Sequence, residues 1–218
     1  MLERNKYISE FVTRQLACVV PDGYDCGPAI LEHVGEAIKR VEDCIFLARM
    51  AGCKKYDYLV SWQHAMLIYF LANTIWRNCK RKDEAVRLFI LNKALNGLDL
   101  YFEVEMGEHF LIGHTVGTVF AKATYGKYCV FHQGCTIGRQ DDKRPILGDG
   151  TVMFPGSRII GDCVVNENTV LSAGVNLINY STPGNCIVFE GKGSRPIVKE
   201  IDEYYADRYF SRNKAEQK

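Results

Sequence analysis

The sequence predicts an α+β protein, with an N-terminal α-helical domain followed by a parallel β-helix of hexapeptide repeats. From Leu147 to Leu177 a large apolar residue returns at every sixth position, and a small or β-branched residue follows it four places later. Such a unit makes one short strand and one tight turn, so three units complete a coil and stacked coils bury one another. Before residue 98, apolar residues instead recur at spacings of three and four, which is typical of amphipathic helices.

Two series of repeats can be distinguished. In the regular series the interior positions are Leu147, Met153, Ile159, Val165, Leu171 and Leu177, and the small positions are Thr151, Ser157, Cys163, Thr169 and Val175. A rougher upstream series places Thr118, Thr124, Val130 and Thr136 at small positions and His114, Phe120, Gly126, His132 and Gly138 at interior positions. Packing alone does not need polar residues there, so we expect function in these irregular coils. The charged loop RQDDKRP (139–145) separates the two series.

The remaining segments define the predicted domains. Apolar periodicity predicts helices at about 1–20, 29–50, 59–78 and 84–96, and Asn96-Gly97 is a common helix end. After the repeats, CIVFEG predicts a last strand, and the polar tail is expected to end in a short helix. The predicted division is therefore a helical domain at 1–97, a β-helix at 98–191 and a tail at 192–218.

Composition restricts the class of protein. With 27 basic and 26 acidic residues the net charge is +1, which gives no electrostatic reason to expect nucleic acid. The nine cysteines form no CxxC pair and predict reduced thiols in a cytoplasmic protein. The N-terminus does not look like a signal peptide, and the apolar run at 65–76 is too short to span a bilayer. We therefore expect no membrane insertion.

Segments outside the regular repeat make the likeness to known proteins more specific. They are the helical run WQHAMLIYFLANTIW, the segment IGHTVGTVFAKATYG and the KRP step of the loop. With the repeats they resemble, over about residues 64–199, the serine O-acetyltransferase branch of the hexapeptide-repeat acyltransferases. The resemblance implies a left-handed β-helix, acetyl-CoA as co-substrate, no metal, and a homotrimer with active sites at subunit boundaries. It leaves open whether two trimers pair.

The resemblance also implies a catalytic pair. In that family a histidine in this segment is the general base and an aspartate fifteen residues earlier orients it; the matching positions are His114 and Asp99. A histidine near its ordinary pKa can take the proton of a hydroxyl that attacks a thioester, and a carboxylate fixes the ring tautomer. The alternatives are a polar residue at a coil corner for His114 and a turn-forming residue for Asp99.

The acceptor site departs from the family pattern. Gly113 replaces the aspartate expected before the histidine, and Lys143-Arg144 replaces an Arg-His pair in the loop. Losing a carboxylate that would bind an amino group argues against free serine as the acceptor, and the two cations favour an anionic acceptor such as a sugar nucleotide or an acidic sugar. The predicted acceptor-binding residues are Lys143, Arg144, His132 and His109. His132 follows His114 by eighteen residues, so we expect it one coil away at about 4.8 Å; the alternative is a core histidine.

Small residues at turns predict the groove for acetyl-CoA. Side chains must not block a cofactor that binds through backbone groups. The candidate positions are Pro155, Gly156, Ser172, Ala173 and Gly174, with Arg195 and Lys199 in the tail as partners for phosphates. The alternative for the two tail residues is a basic C-terminal segment without a ligand.

Taken together, these features predict an acetyl-CoA-dependent acetyltransferase. The predicted acceptor is a hydroxyl or amine of a sugar or sugar nucleotide, in a pathway of the surface-polysaccharide type. The alternative is a serine O-acetyltransferase of cysteine biosynthesis. Two remote alternatives are a zinc lyase of the carbonic-anhydrase type, using His109, His114 and His132, and a scaffold without catalysis.

Overall fold

Four helices form the N-terminal part of the protein. The computed structural model describes residues 2–49, 54–192 and 195–212. The helices are α1 (Leu2–Val19), α2 (Gly27–Leu47), α3 (Ser61–Cys79) and α4 (Lys82–Asn96), so their predicted positions are confirmed to within a few residues. Residues 50–53, where the predicted break after α2 begins, lie outside the described residues. Most of α3 is buried because it packs between α2, α4 and the solenoid. Among the described residues, no helix combines the length and apolar content needed to cross a bilayer.

The predicted β-helix is confirmed as a parallel β-solenoid. Its strands are β1 (Leu98–Leu100), β2 (Leu111–Ile112), β3 (Thr118–Phe120), β4 (Thr124–Tyr125), β5 (Val130–Phe131), β6 (Thr136–Gly138), β7 (Ile146–Leu147), β8 (Val152–Met153), β9 (Arg158–Ile160), β10 (Val164–Val165), β11 (Thr169–Leu171), β12 (Asn176–Ile178), β13 (Cys186–Phe189) and β14 (Ile197–Glu200). They form three faces: face A (β1, β3, β6, β9, β12), face B (β4, β7, β10) and face C (β2, β5, β8, β11, β13, β14). The chain visits C, A and B in turn.

The regular repeats pack as predicted. All six interior residues from Leu147 to Leu177 are at most 1% exposed, and so are the five small residues at the turns. Register follows the period: Val170 pairs with Val152 and Leu177 with Ile159, one coil apart. Stacking therefore buries each coil's apolar residues against its neighbours.

The predicted upstream frame is correct at Thr118 and Phe120, which are buried, but it is one residue too late from Tyr125 onward. The interior is filled by Tyr125, Phe131 and Ile137, which are buried, while Gly126, His132 and Gly138 each follow an interior residue. Cys129 and Cys135 occupy the small positions and are buried. These coils therefore bury an apolar residue at each of these interior positions, as the later coils do, and the expectation of polar residues inside them was wrong.

Turns between faces form three long edges of the solenoid. We call the turns from face C to face A (113–117, 132–135, 154–157 and 172–175) the histidine edge. The turns from face A to face B include the predicted loop 139–145, and we call this side the loop edge. The turns from face B to face C carry residues with positive φ, including His109, Tyr128 and Gly150, and form the third edge.

The C-terminal segment fastens the two parts of the protein together. β14 pairs antiparallel with β13, and a 3-10 helix, η1 (Tyr205–Arg208), follows it. The backbone N–H of Arg49 donates to the carbonyl of Tyr209, and that of Ser211 donates to Leu47. The short helix was predicted, but β14 and the contact with the end of α2 were not. The domain division itself stays a prediction, and residues 193–194 and 213–218 of the predicted tail lie outside the described residues.

Candidate active site

His114 lies at the histidine edge, in a turn held by the end of α4. The hydroxyl of Thr115 donates to the carbonyl of Asn96 at 2.7 Å, and the backbone N–H of Gly117 donates to Gly97 at 3.0 Å. His114 itself adopts a positive φ of 57° and its side chain is exposed. Within the described residues its ring makes no hydrogen bond. The turn thus presents an imidazole that is open to a substrate.

Asp99 lies on face A and is engaged elsewhere. Its side chain alternates outward between the buried Leu98 and Leu100 of β1, and its Oδ2 accepts a hydrogen bond from Lys93 Nζ at 2.7 Å. No hydrogen bond joins Asp99 to His114, both of which the structure describes. The predicted orienting contact is therefore not formed here, and the catalytic role of Asp99 stays a prediction.

His132 lies one coil from Gly113, so the predicted pairing with His114 was wrong by one residue. Ile112 pairs with Phe131, and the N–H of Gly113 donates to the carbonyl of Phe131 at 2.8 Å. This first coil takes 19 residues from Ile112 to Phe131, one more than the regular coils. His132 is still close enough to His114 to interact with it electrostatically.

Aromatic side chains surround the half-buried His132. Its ring stacks on Phe154 at 5.2 Å between centroids and 6° between planes, and its Nε2 lies 3.2 Å from the hydroxyl of Tyr209. Burial, with a smaller contribution from His114, lowers the pKa of His132 below its ordinary value, which favours the neutral ring. One nitrogen of this ring is thus engaged by the C-terminal segment.

The predicted cofactor turns share the edge of His114. The N–H of Gly174 donates to the carbonyl of Pro155 at 3.0 Å, which stacks the two turns one coil apart. Ser172 and Ala173 complete the second turn. Gly156 and Gly174 have φ of 72° and 76°, and a Cβ built on either would meet nothing within 4 Å. Positive φ favours glycine here, and the surface in front of both turns is open.

Of the predicted phosphate ligands, only Arg195 lies beside that edge. It borders a cavity of about 200 Å³ with Val175, Asn176 and Glu190. Lys199 pairs with Ile187 on face C, and its Nζ lies 5.4 Å from the centroid of the Phe189 ring. Lys199 is exposed, but the contact of its ammonium with that ring and its place on face C weaken the case for it as a phosphate ligand.

The predicted acceptor cations lie on a different edge. Lys143 and Arg144 are exposed in the loop between β6 and β7, and Lys143 Nζ is 3.4 Å from Asp162 Oδ2. The loop lengthens its coil to 22 residues, from Val130 to Val152. Within one chain, then, the loop edge and the histidine edge are separate, and the role of Lys143 and Arg144 in a site at a subunit boundary stays a prediction.

His109 is also away from His114. It sits on the third edge, stacked on Tyr128 with 5.6 Å between centroids, and borders a cavity of about 350 Å³ beside α2 and α3. His109, His114 and His132 therefore make no common ligand set for zinc. In the described part of the chain the only group of metal-type ligands is Glu32, His33 and Cys79, in the helical part.

His64, on α3, is held by hydrogen bonds within the helical part. Its ring bonds the hydroxyl of Tyr56 through Nδ1 and the side chain of Gln15 through Nε2, both at 2.9 Å. Burial lowers its pKa to about 4. Both nitrogens of this neutral ring thus have hydrogen-bond partners inside the helical part.

Comparison with known proteins gives one consistent result. The chain is 30% identical over 103 residues to a serine acetyltransferase of Synechococcus elongatus, and 26% identical over 143 residues to one of Staphylococcus epidermidis. The predicted resemblance to the serine acetyltransferases is confirmed. These alignments cover 45% and 59% of this chain but 42% and 66% of those enzymes, so the chain spans less than two thirds of their length. No protein-family model matches the chain.

Solved serine acetyltransferases share the fold. The structure from Brucella abortus matches with a TM-score of 0.70 at 17% identity, covering 91% of this chain and 84% of that one. Isoform 3 from Entamoeba histolytica, in complex with cysteine, matches with a TM-score of 0.64 at 21% identity, covering 91% and 74%. The combination of helical domain and β-solenoid is thus the one that the sequence predicts.

Sequence reasoning missed two features of this site. The first is Tyr209, which lies 77 residues after His132 in a segment without any repeat. The second is the open space at Gly113, where a Cβ would meet only His132 Nδ1, at 3.8 Å, apart from its chain neighbours. The glycine itself was visible as a departure from the family pattern, but its surroundings needed the register of the first coil.

Proposed function

We propose that the protein is an acetyl-CoA-dependent O-acetyltransferase whose general base is His114. The observation that carries this proposal is the common edge: an exposed imidazole and two open small-residue turns lie on the same side of the solenoid. The acceptor hydroxyl adds to the thioester carbonyl while His114 takes the hydroxyl proton. The CoA sulfur then leaves, and His114 donates that proton to it. The products are an acetyl ester and free CoA.

The cofactor fits the turns of the histidine edge. Backbone at Gly156 and Gly174 is open to close approach, and Pro155, Ser172 and Ala173 add little bulk. Arg195, beside the last turn, is the residue we assign to a phosphate of the cofactor. The reaction as proposed uses the acetyl-CoA pool of the cytoplasm.

A trimer would explain why acceptor residues occupy two edges. We propose that the loop edge of one subunit lies against the histidine edge of the next, so that Lys143 and Arg144 face His114 across the boundary. A cyclic arrangement repeats that contact three times. The proposal agrees with the predicted homotrimer; whether two trimers pair remains open.

L-Serine is the leading acceptor because the relatives named above are serine acetyltransferases. This favours the alternative in the sequence analysis over the sugar that was preferred there. One observation keeps a sugar or sugar nucleotide as the second candidate: Gly113 offers no carboxylate for an ammonium group, and the loop offers cations.

An acceptor panel tests the function and separates the candidates. Purified protein is given acetyl-CoA with L-serine, free hexoses or nucleotide-linked amino sugars, and the release of CoA thiol is measured together with the mass of the product. Turnover of serine supports the leading candidate, and turnover of a sugar alone supports the second. No acceptor-dependent thiol release with any of them would contradict acetyl transfer as the function.

A further inference from the structure

Gly113 is a glycine for which the fold gives no reason. Other glycines of the solenoid have a physical reason: a Cβ at Gly126 or Gly148 would lie about 2.5 to 2.6 Å from neighbouring backbone atoms, and Gly156 and Gly174 adopt a positive φ. Gly113 does not adopt a positive φ, and its Cβ would have ordinary contact distances. An alanine would fit. The absent side chain therefore leaves a space that packing does not explain.

The space has one defined wall. Equivalent positions on successive coils carry Gly113, His132 and Phe154, since the N–H of Gly113 donates to Phe131 and that of His132 donates to Met153. The rings of His132 and Phe154 stack, and the next member of the stack is missing at Gly113. His132 Nδ1 faces this vacant place, and His114 is the next residue along the chain.

The C-terminal segment holds that wall in position. Tyr209 contacts His132 edge to face, with centroids 5.9 Å apart, and its hydroxyl lies 3.2 Å from Nε2. Tyr209 is itself fixed because its carbonyl accepts from Arg49 N–H at 2.8 Å and the adjacent Phe210 is fully buried. The imidazole can therefore neither rotate freely nor exchange its Nε2 partner without moving this segment.

The family pattern places an acceptor contact at position 113; we propose that here the acceptor's non-reacting polar group instead enters the space that Gly113 leaves, which we call the acceptor subsite, and hydrogen-bonds to Nδ1 of His132. Tyr209 is a positioning residue that acts through His132. This inference rests on the proposed function and extends it to specificity. The group bound is a hydroxyl or an amine held without a full opposite charge, because a neutral ring stands where the family pattern has a carboxylate.

The tautomer of His132 decides whether an ammonium can bind in the subsite. If Tyr209 accepts from Nε2–H, then Nδ1 carries a lone pair and can bind an ammonium, which only donates. If Tyr209 donates, Nδ1–H points into the space and suits a hydroxyl oxygen. Nitrogen chemical shifts of His132 by NMR report which form is present, and this reading does not depend on turnover.

Three variants test the subsite by steady-state kinetics. Gly113→Ala fills the space, His132→Phe keeps the stack on Phe154 but removes Nδ1, and Tyr209→Phe removes only the hydroxyl. We expect the KM of the acceptor to rise about 10-fold or more for the first two and about 3-fold for the third, since losing one hydrogen bond has effects of this order. The KM of acetyl-CoA should stay within about 2-fold.

Tyr205→Phe is the matched control. Tyr205 belongs to the same segment and packs edge to face on Phe154, but its hydroxyl neighbours Arg208 rather than His132. We expect it to behave as the wild type. Thermal unfolding of each variant reports any loss of fold, and His132→Asn, whose amide can still bond in the space, should recover part of the acceptor affinity that His132→Phe loses.

The outcomes separate this inference from the proposed function. If CoA release depends on His114 but the acceptor KM is unchanged in folded Gly113→Ala and His132→Phe, the subsite is wrong and the function stands. If His114→Ala releases CoA as fast as the wild type, the proposed function itself is wrong. If all variants raise the KM of acetyl-CoA as much as that of the acceptor, the space belongs to the cofactor and the inference is overturned.

Discussion

The histidine edge and the loop edge are built from the same repeat, yet they differ in what they offer a substrate. Turns on the histidine edge are short, and their N–H groups pair coil to coil, as Gly156 does with Gln133 and Gly174 with Pro155. The loop edge breaks the repeat by inserting a charged segment, in which Lys143 and Arg144 are exposed. The histidine edge supplies a base and backbone that side chains leave open, and the loop edge supplies positive charge. Neither alone has both, which is why we place the active site where two subunits meet.

The largest effect should come from removing the base on the histidine edge. We expect His114→Ala to lower kcat by about 100- to 10,000-fold, because general base catalysis contributes on this scale. Val116→Ala is the control, since Val116 lies in the same turn with an exposed side chain. Initial rates of CoA release at saturating substrates measure both. If the kcat of His114→Ala lay within 5-fold of the wild-type value, the chemistry would not take place at this edge.

A smaller loss is expected on the loop edge. Replacing Lys143 and Arg144 together by alanine should lower kcat/KM for the acceptor by about 10- to 100-fold, because charge-assisted hydrogen bonds are among the stronger contacts. The matched control is Lys122→Ala, on the same side of the solenoid, where Lys122 pairs with Glu103. Equal kinetics for the double variant and the control would leave the loop edge as a solvated surface.

Gly113 allows a test for an ammonium at the histidine edge, through two variants that are compared with each other rather than with the wild type. Gly113→Asp restores a carboxylate, and Gly113→Asn has the same shape without the charge. If serine is the acceptor, we expect kcat/KM for serine to be about 10-fold higher in the Asp variant than in the Asn variant. A carboxylate forms a charge-assisted hydrogen bond with an ammonium, and a neutral amide does not. For an uncharged sugar the two variants should be equal. A ratio near one for every acceptor would show that no ammonium approaches this position.

The smallest effect on turnover is expected at His64, which contacts neither edge. Its pKa in the folded state, about 4, is below the ordinary 6.5, so the unfolded chain binds more protons between these values. Unfolding free energy should therefore fall as pH drops from 6.5 towards 4, by about 2 kcal/mol between pH 7 and pH 5. Urea titrations at both pH values should show this fall in wild type and a smaller one in His64→Gln. An equal fall in the variant would assign the acid sensitivity to other groups.

Sequence patterns predicted the parts of this protein that repeat. Regular spacing placed Leu147, Met153 and the later interior residues correctly, because each repeat unit specifies its own strand and turn. The upstream frame was wrong by one residue from Tyr125 onward because the step from the interior Phe120 to the interior Tyr125 takes five residues instead of six. Elements without a period were invisible, as β14 and Tyr209 show, since their positions depend on contacts far along the chain.

The candidate site shows the same division. A motif placed His114 on a turn, and the period placed Gly156 and Gly174 one coil apart. The pairing of His132 with Gly113 depends on the first coil having 19 residues, which no repeat in the sequence announces. The separation of the loop edge from His114 likewise depends on how three faces close around a core, and single residues do not encode it.

Subunit mixing tests the shared site most directly. His114→Ala subunits are mixed with Lys143→Ala/Arg144→Ala subunits, dissociated and reassembled, and CoA release is compared with each variant alone. In a cyclic trimer with random mixing at equal amounts, about one boundary in four joins an intact histidine edge to an intact loop edge. We therefore expect about a quarter of wild-type activity to return. If both variants are impaired alone and the mixture shows only the average of the two, the edges do not meet between subunits and the proposed site is wrong.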